Sequence, residues 1–348
     1  MPHAAIAGAG LAGRLVAWRL ARAGWRVSLF DRAARDDRTS ASHVAAAMLS
    51  PLAERVSCDG AVFDMAQRAM VLWPAWLAQL QHDGGRTVYN RREGTLVVAH
   101  PVDRANLTHF EQVLRQKLPP THQGLVRPLD GPALDTLEPA LAGRFGHGLH
   151  LVGDGQLAND ELLAALMAAL DRFRVEWHDG AEVRSLAAGV MHTADGPCRA
   201  DVVVDTRGLG ARASWPGLRG VRGEVLTVEC DGVELKRPVR LMHPRYQLYV
   251  APRPDGRFVV GATELESEDT GPATVRSVLE LGSALYSLHP AFGEARVVRI
   301  AASLRPALDD HRPALRRQDG VWALNGLYRH GYLCGPALVD ELEQAVLR

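Results

Sequence analysis

Gly8, Gly10 and Gly13 stand at a spacing that can hold a pyrophosphate. Gly8 permits a tight turn, Gly10 lets a phosphate approach the backbone, and Gly13 lets the next helix pack closely on a strand. Leu11 and Ala12 complete the run Gly8-Ala9-Gly10-Leu11-Ala12-Gly13. A strand must deliver the chain into this turn and a helix must leave it. Ala4 to Ala7 is a short apolar run that suits the strand. Ala12, Val16, Leu20 and Ala23 recur at steps of four and three, which places them on one helix face. Gly24 is placed to end that helix. Arg26 to Phe30 alternates as a second strand, closed by Asp31 and Arg32. An acid there can accept hydrogen bonds from a ribose, and the helix N-terminus favours an anion. The pattern predicts dinucleotide binding and leaves NAD and FAD both open.

Further along, small residues run from Ala41 to Pro51, after a polar loop at Asp36 to Ser40. Small side chains let a backbone press against something large and flat, and a tightly packed helix is the alternative. A helix bearing Leu162, Leu163, Leu166 and Leu170 follows Asp154-Gly155-Gln156. Gly220 to Glu229 alternates as a strand. Tyr249 to Ala251 and Arg257 to Val260 read as a hairpin around the turn Pro252 to Gly256. On that alternation Tyr246 faces away from Tyr249. Gly335-Pro336-Ala337 reads as the opening of a last helix with Leu338, Leu342 and Val346. Residues 101–135 carry little signal. A β-rich middle is thus inserted into a nucleotide-binding α/β frame.

Composition narrows the class. The 348 residues suffice for two domains, and 40 basic residues balance 40 acidic ones. That balance excludes the strongly basic footprint of a nucleic-acid binder. Four cysteines lie far apart with no CxxC pair, so no zinc or dithiol site is expected, and free thiols suit a reducing compartment. His147 and His150 flank Gly-Leu without a third ligand and read as a turn. No signal peptide or membrane span is expected, so a cytoplasmic protein is.

The stretch Ala41-Ser42-His43-Val44-Ala45-Ala46-Ala47-Met48-Leu49-Ser50-Pro51 resembles the segment that runs beside FAD in the D-amino-acid oxidase superfamily, glycine oxidases above all. More matches follow in the family's order: Glu93 to Ala99, Leu137-Glu138-Pro139-Ala140-Leu141, and Ala200 to Asp205 with Gly208. The hairpin Tyr249 to Thr263, Leu304-Arg305-Pro306, and Asn325-Gly326-Leu327-Tyr328-Arg329-His330-Gly331 complete them. The resemblance spans nearly the whole chain. It departs at Ala47 and Ser303, where the family has glycine, at His330, often asparagine, and at Thr206-Arg207-Gly208-Leu209-Gly210.

The resemblance implies a Rossmann-like FAD domain from residues 1–85, 150–212 and 305–348. An antiparallel β-rich substrate domain would comprise 86–149 and 213–304. It implies that Arg305 binds a substrate carboxylate, that Tyr249 donates to it, and that Arg329 shares the catalytic site. FAD would be held by Gly8, Gly10, Leu11, Ala12, Gly13, Asp31, Arg32, Ser42, Ala46, Ala47, Met48, Val183 and Gly208. Arg305, Tyr328, Arg329, His330, Gly331, Tyr332 and Leu333 complete that set. The FAD would be non-covalent, since Pro306 to Leu315 holds no cysteine. The expected reaction is oxidative deamination of glycine, with sarcosine or small D-amino acids as further substrates and oxygen as acceptor. It would supply an imine for the thiazole of thiamine. The alternatives are a D-amino-acid dehydrogenase passing electrons to a quinone, an NAD enzyme, and a non-catalytic flavin-binding partner protein. Relatives are often homo-oligomers, which sets the expectation here.

Overall fold

The computed structural model describes residues 1–243 and 248–348, so the expectation for Tyr246 lies outside the described residues. The first large sheet has six strands, in the order Ala314–Gln318, Val321–Asn325, Val202–Asp205, His3–Ala7, Arg26–Phe30 and Glu176–His178. All neighbours run parallel except the edge pair Ala314–Gln318 and Val321–Asn325. His3–Ala7 is buried throughout, as a central parallel strand covered on both faces must be. Helices Leu11–Arg22, Gly60–Gly84, Asn159–Arg172 and Gly331–Leu347 share one core with it. Trp18 and Trp76 meet edge to face in that core, with centroids 5.8 Å apart. A three-stranded sheet from Val183–Ala187, Val190–Thr193 and Gly196–Arg199 covers the other side through Met191 and Phe30.

The second large sheet has eight strands. They run in the order Arg296–Ala307, Arg219–Glu229, Arg257–Gly261, Leu248–Pro252, Val239–Met242, Thr95–Ala99, His147–Leu151 and Val126–Asp130. Only Val239–Met242 and Thr95–Ala99 pair in parallel. Alternation divides its faces. Leu226, Val228, Phe258 and Val260 pack under helix Val275–Leu288. Val225, Ala251 and Val259 face the other way, against Val44 and Ala46 of the small-residue segment. The expected α/β frame with an antiparallel β-rich insertion is the architecture observed.

Three local features differ from the expected pattern. The last helix begins at Gly331, not Gly335, so Pro336 lies inside it. Proline cannot donate to the carbonyl four residues back. That carbonyl, of Tyr332, instead accepts from Trp73 Nε1 at 2.9 Å. Pro74, inside Gly60–Gly84, frees the Met70 carbonyl in the same way, and Arg92 Nη2 donates to it. The His147 region is a strand rather than a turn, paired on both sides. The small-residue run is helical only over Ala41–Val44 and then extended, with Met48–Leu49 in a minor sheet. Residues 101–135 include helix Arg104–Lys117, which buries Leu107, Phe110 and Leu114.

Candidate active site

The glycine turn has the geometry its spacing predicts. Gly8 has a φ of 96°, and a Cβ there would lie 2.6 Å from the Thr206 carbonyl oxygen. A Cβ on Gly13 would collide with the Gly8 carbonyl, whereas one on Gly10 would meet nothing within 4 Å. Gly10 is therefore the open face of the turn. Helix Leu11–Arg22 has no side-chain cap at its N-terminus, so Leu11, Ala12 and Gly13 present backbone N–H groups there. Asp31 accepts from Ala9 N at 2.5 Å and Ala33 N at 2.8 Å, which ties the acid to the turn. Arg32 is exposed beside it. An open glycine, an uncapped helix end and an acid at the second strand's end fit a dinucleotide pyrophosphate and ribose.

The unusual Thr206-Arg207-Gly208 turn reinforces this end. The Thr206 hydroxyl lies 2.8 Å from both the Ala7 and Gly8 carbonyl oxygens. Arg207 pairs with Asp205 at 2.7 Å and donates to the Val183 carbonyl at 3.3 Å. Gly208 adopts a φ of 55°, and Asn325 Nδ2 donates to its carbonyl at 2.9 Å.

The small-residue segment is fixed by side chains from three directions. The Ser42 carbonyl accepts from the Tyr332 hydroxyl at 2.7 Å and from Asn159 Nδ2 at 3.3 Å. Arg253 donates to the Ala46 carbonyl and to Gln156 Oε1, each at 2.9 Å. Met48 pairs with Gln156 across the minor sheet. Ala47 has a φ of 51°. In that left-handed conformation a Cβ costs about 1–2 kcal/mol, which accounts for glycine at this place in the family. At the other wall, His330 is the N-cap residue of the last helix, Gly331 lies near Leu11, and Leu333 is in the core. These residues bring the first and last helices together.

The substrate end is built on the eight-stranded sheet. Arg240, Tyr249 and Gly261 are successive cross-strand partners, so their side-chain positions share one face. Gly261 has no side chain, and the Tyr249 hydroxyl lies 2.6 Å from where its Cβ would be. Gly223 plays the same part for Arg305, whose guanidinium fills the space of the missing Cβ. Two glycines thus form a floor beneath a phenol and a guanidinium. Arg305 Nη2 donates to the Thr263 carbonyl at 3.1 Å. Arg240 and Arg329 pair with carboxylates, whereas Arg305, like Arg253, has no carboxylate partner among the described residues. Burial pushes the Tyr249 phenol up, while Arg305 and Arg240 pull it back.

Arg329 is committed elsewhere. It pairs with Glu54 at 2.9 Å and Glu264 at 2.8 Å, and it donates to Ser57. Glu54 also accepts from Arg240 at 2.6 Å and lies 3.9 Å from His330 Nδ1. Burial drives the Glu54 carboxyl up, but Arg329, Arg240 and His330 outweigh it and hold it well below the usual range. Glu54 sits on the short helix Pro51–Arg55, where Leu52 N and Ala53 N donate to Asp154 at 3.0 and 3.3 Å. Burial pushes the Asp154 carboxyl up to about 7. His330 is buried and pushed down to about 4, mainly by desolvation. Tyr328, at a φ of 46°, stacks on His311 with centroids 4.6 Å apart. Glu54, Arg240 and Gly223 have no local signal in the sequence, because only register and tertiary contact bring them together, and Gly261 is marked there only as part of the hairpin. Among the described residues no His, Cys, Asp or Glu group could hold a metal, and no helix is long and apolar enough to cross a membrane.

Residues 3–344 match the family model described as FAD dependent oxidoreductase. The chain is 41% identical over 342 residues to a Rhizobium etli protein provisionally named thiamine biosynthesis oxidoreductase ThiO, covering 98% of this chain and 95% of that one. Glycine oxidase from Geobacillus kaustophilus superposes with a TM-score of 0.84 at 26% identity, covering 99% and 95% of the two chains. Iminodiacetate oxidase from Chelativorans sp. BNC1 shares the fold, with a TM-score of 0.82 at 24% identity over 99% and 95%.

Proposed function

The chain belongs to the family of FAD-dependent oxidoreductases, and on that premise we propose that it oxidises the amine of a small amino acid, glycine first. The observation that carries this reading is Arg305. Among the described residues it is a guanidinium without a carboxylate partner, held beside the Tyr249 phenol over two glycines. A planar guanidinium takes a carboxylate through two parallel hydrogen bonds. Tyr249 adds a donor, and its raised pKa keeps the hydroxyl protonated at neutral pH. The names of the relatives, a glycine oxidase among them, support the choice of substrate.

FAD, when bound, supplies the acceptor for a hydride from the substrate Cα. The residues proposed to hold it are Gly8 to Gly13, Asp31, Arg32, Ser42, Ala46, Ala47, Met48, Val183, Gly208 and the run Tyr328 to Leu333. No covalent link is proposed, and the flavin should leave with denaturation. Orientation dominates the chemistry of this chain's own residues. His330 is neutral at pH 7, and a substrate amine that arrives uncharged requires no side-chain base. The substrate loses a hydride and a proton to become an imine, and water converts the imine to a keto acid and ammonia. Oxygen as final acceptor gives hydrogen peroxide. The same reading keeps the two-domain division given above and a cytoplasmic homo-oligomer. It also includes a role in supplying the glycine imine for thiamine, which the Rhizobium etli relative's name supports.

Incubation with glycine in air tests the reaction. Glyoxylate, ammonia and peroxide should accumulate in equal amounts. Glyoxylate formed only with an added dye would replace the oxidase by a dehydrogenase. No product from glycine, sarcosine or D-alanine would sink the amine-oxidising reading.

A further inference from the structure

We infer that Glu54 is a specificity-determining residue, which restricts the site to amines carrying a single carboxylate. The inference rests on the reading that Arg305 holds the substrate carboxylate. Among the described residues, the guanidiniums of Arg240, Arg305 and Arg329 gather here with the carboxylates of Glu54 and Glu264. Arg240 is the cross-strand neighbour of Tyr249, so it shares the sheet face on which the substrate is placed. Its Nε is buried without a hydrogen-bond partner. By chemistry and position it is a second carboxylate receptor, but Glu54 already fills it at 2.6 Å. Glu54 also neutralises Arg329 from the inner side, while Glu264 does so from the outer. His330, neutral by burial, adds no charge. Of these three guanidiniums, Arg305 is the one left without a carboxylate among the described residues, and it matches one carboxylate.

A substrate with a second carboxylate must displace Glu54 or lie beside its charge. Like charges in a partly dry site repel strongly, and a repulsive element of this kind discriminates against the wrong ligand. Glu54 therefore acts by exclusion.

The test uses the full-length, FAD-loaded enzyme. Glycine and iminodiacetate serve as substrates carrying one and two carboxylates. Acetate and malonate are titrated by calorimetry, a readout independent of turnover. Glu54→Gln should raise the iminodiacetate-to-glycine ratio of kcat/KM about tenfold or more, mainly through the dicarboxylate KM, and favour malonate over acetate to match. Glu54→Asp, which keeps the charge, should hold the wild-type ratio. The double variant Glu54→Gln with Arg240→Gln removes one charge of each sign and should return close to wild type. Arg240→Gln alone leaves excess negative charge and should lower the ratio, which keeps the test open if Glu54→Gln does not fold. A ratio unmoved, within about twofold, in both single variants would overturn the inference. So would Glu54→Asp shifting as far as Glu54→Gln. Arg305→Ala separates the two claims. Loss of both acetate and malonate binding there, with a flat ratio at Glu54, defeats only the role of Glu54. Unchanged binding in Arg305→Ala defeats the underlying reading.

Discussion

Gly223 owes its importance to a missing atom. The Arg305 guanidinium occupies the space of its Cβ, and that guanidinium is the far end of a flexible side chain. Gly223→Ala should therefore fold and bind FAD but push Arg305 aside, raising KM for glycine about tenfold with a smaller change in kcat. Steady-state kinetics on the yellow, folded variant checks this, and an unchanged KM would mean that Arg305 acts from another position. At this scale the sequence is unevenly legible. The glycine turn is readable because its parts are neighbours in the chain and each has a local reason. Arg305 and Tyr249 are singled out only by the resemblance, since arginine is common in this chain and no local rule selects one. Glu54 and Arg240 carry no local signal, because their partnership depends on a short helix meeting a strand 186 residues away in sequence. Ala47 shows the converse case. Its departure from glycine is plain in the sequence, but its left-handed backbone is what explains the family's choice.

Elements answer to a different physics, that of satisfied backbone groups. Trp73 Nε1 donates to the Tyr332 carbonyl that Pro336 leaves free, and both groups are buried. Trp73→Phe keeps the ring and removes the donor. It should cost about 1–3 kcal/mol, the penalty for a buried unpaired carbonyl. The same change loosens the start of the last helix, where His330 to Leu333 stand near Leu11 and Ser42. Denaturant unfolding would measure the loss, and a change below about 0.5 kcal/mol would contradict it. Proline marks a helix boundary ambiguously. Pro336 signalled a helix start, but a side-chain donor from another helix lets the helix begin one turn earlier. Strands fared better, since alternation and turn residues located Arg219–Glu229 and the hairpin of Leu248–Pro252 with Arg257–Gly261. What the pattern could not reveal was sheet order, for which no local signal exists.

At the scale of the whole molecule, buried titratable groups set how stability depends on pH. His43 and His330 are both held down to about 4 by burial, from an ordinary 6.5. His150 and His289 are pushed the same way. Asp154 is pushed up to about 7 and works in the opposite sense. A depressed histidine contributes stability that is complete above pH 6.5 and is lost as pH falls towards 4, because the unfolded chain takes up protons first. Asp154 offsets one such proton, and two or more histidines outweigh it. Stability should therefore fall between pH 6.5 and pH 5. His330→Asn should reduce that slope by about 1.4 kcal/mol per pH unit. Urea midpoints across this range would check it, and an unaltered slope would mean that His330 protonates freely in the folded state. His330 faces Glu54, Arg329, His311 and Glu264, so the same variant reports on the ionic cluster above the substrate site.

The most direct measurement is anaerobic mixing of glycine with the FAD-loaded enzyme, in the wild type and in Arg305→Ala, followed by the visible absorbance of the flavin. Glycine should bleach the flavin of the wild type. Arg305→Ala should retain its flavin and need about a hundredfold more glycine for the same bleaching. Failure of glycine to bleach the wild type, or an identical glycine dependence in the variant, would contradict it.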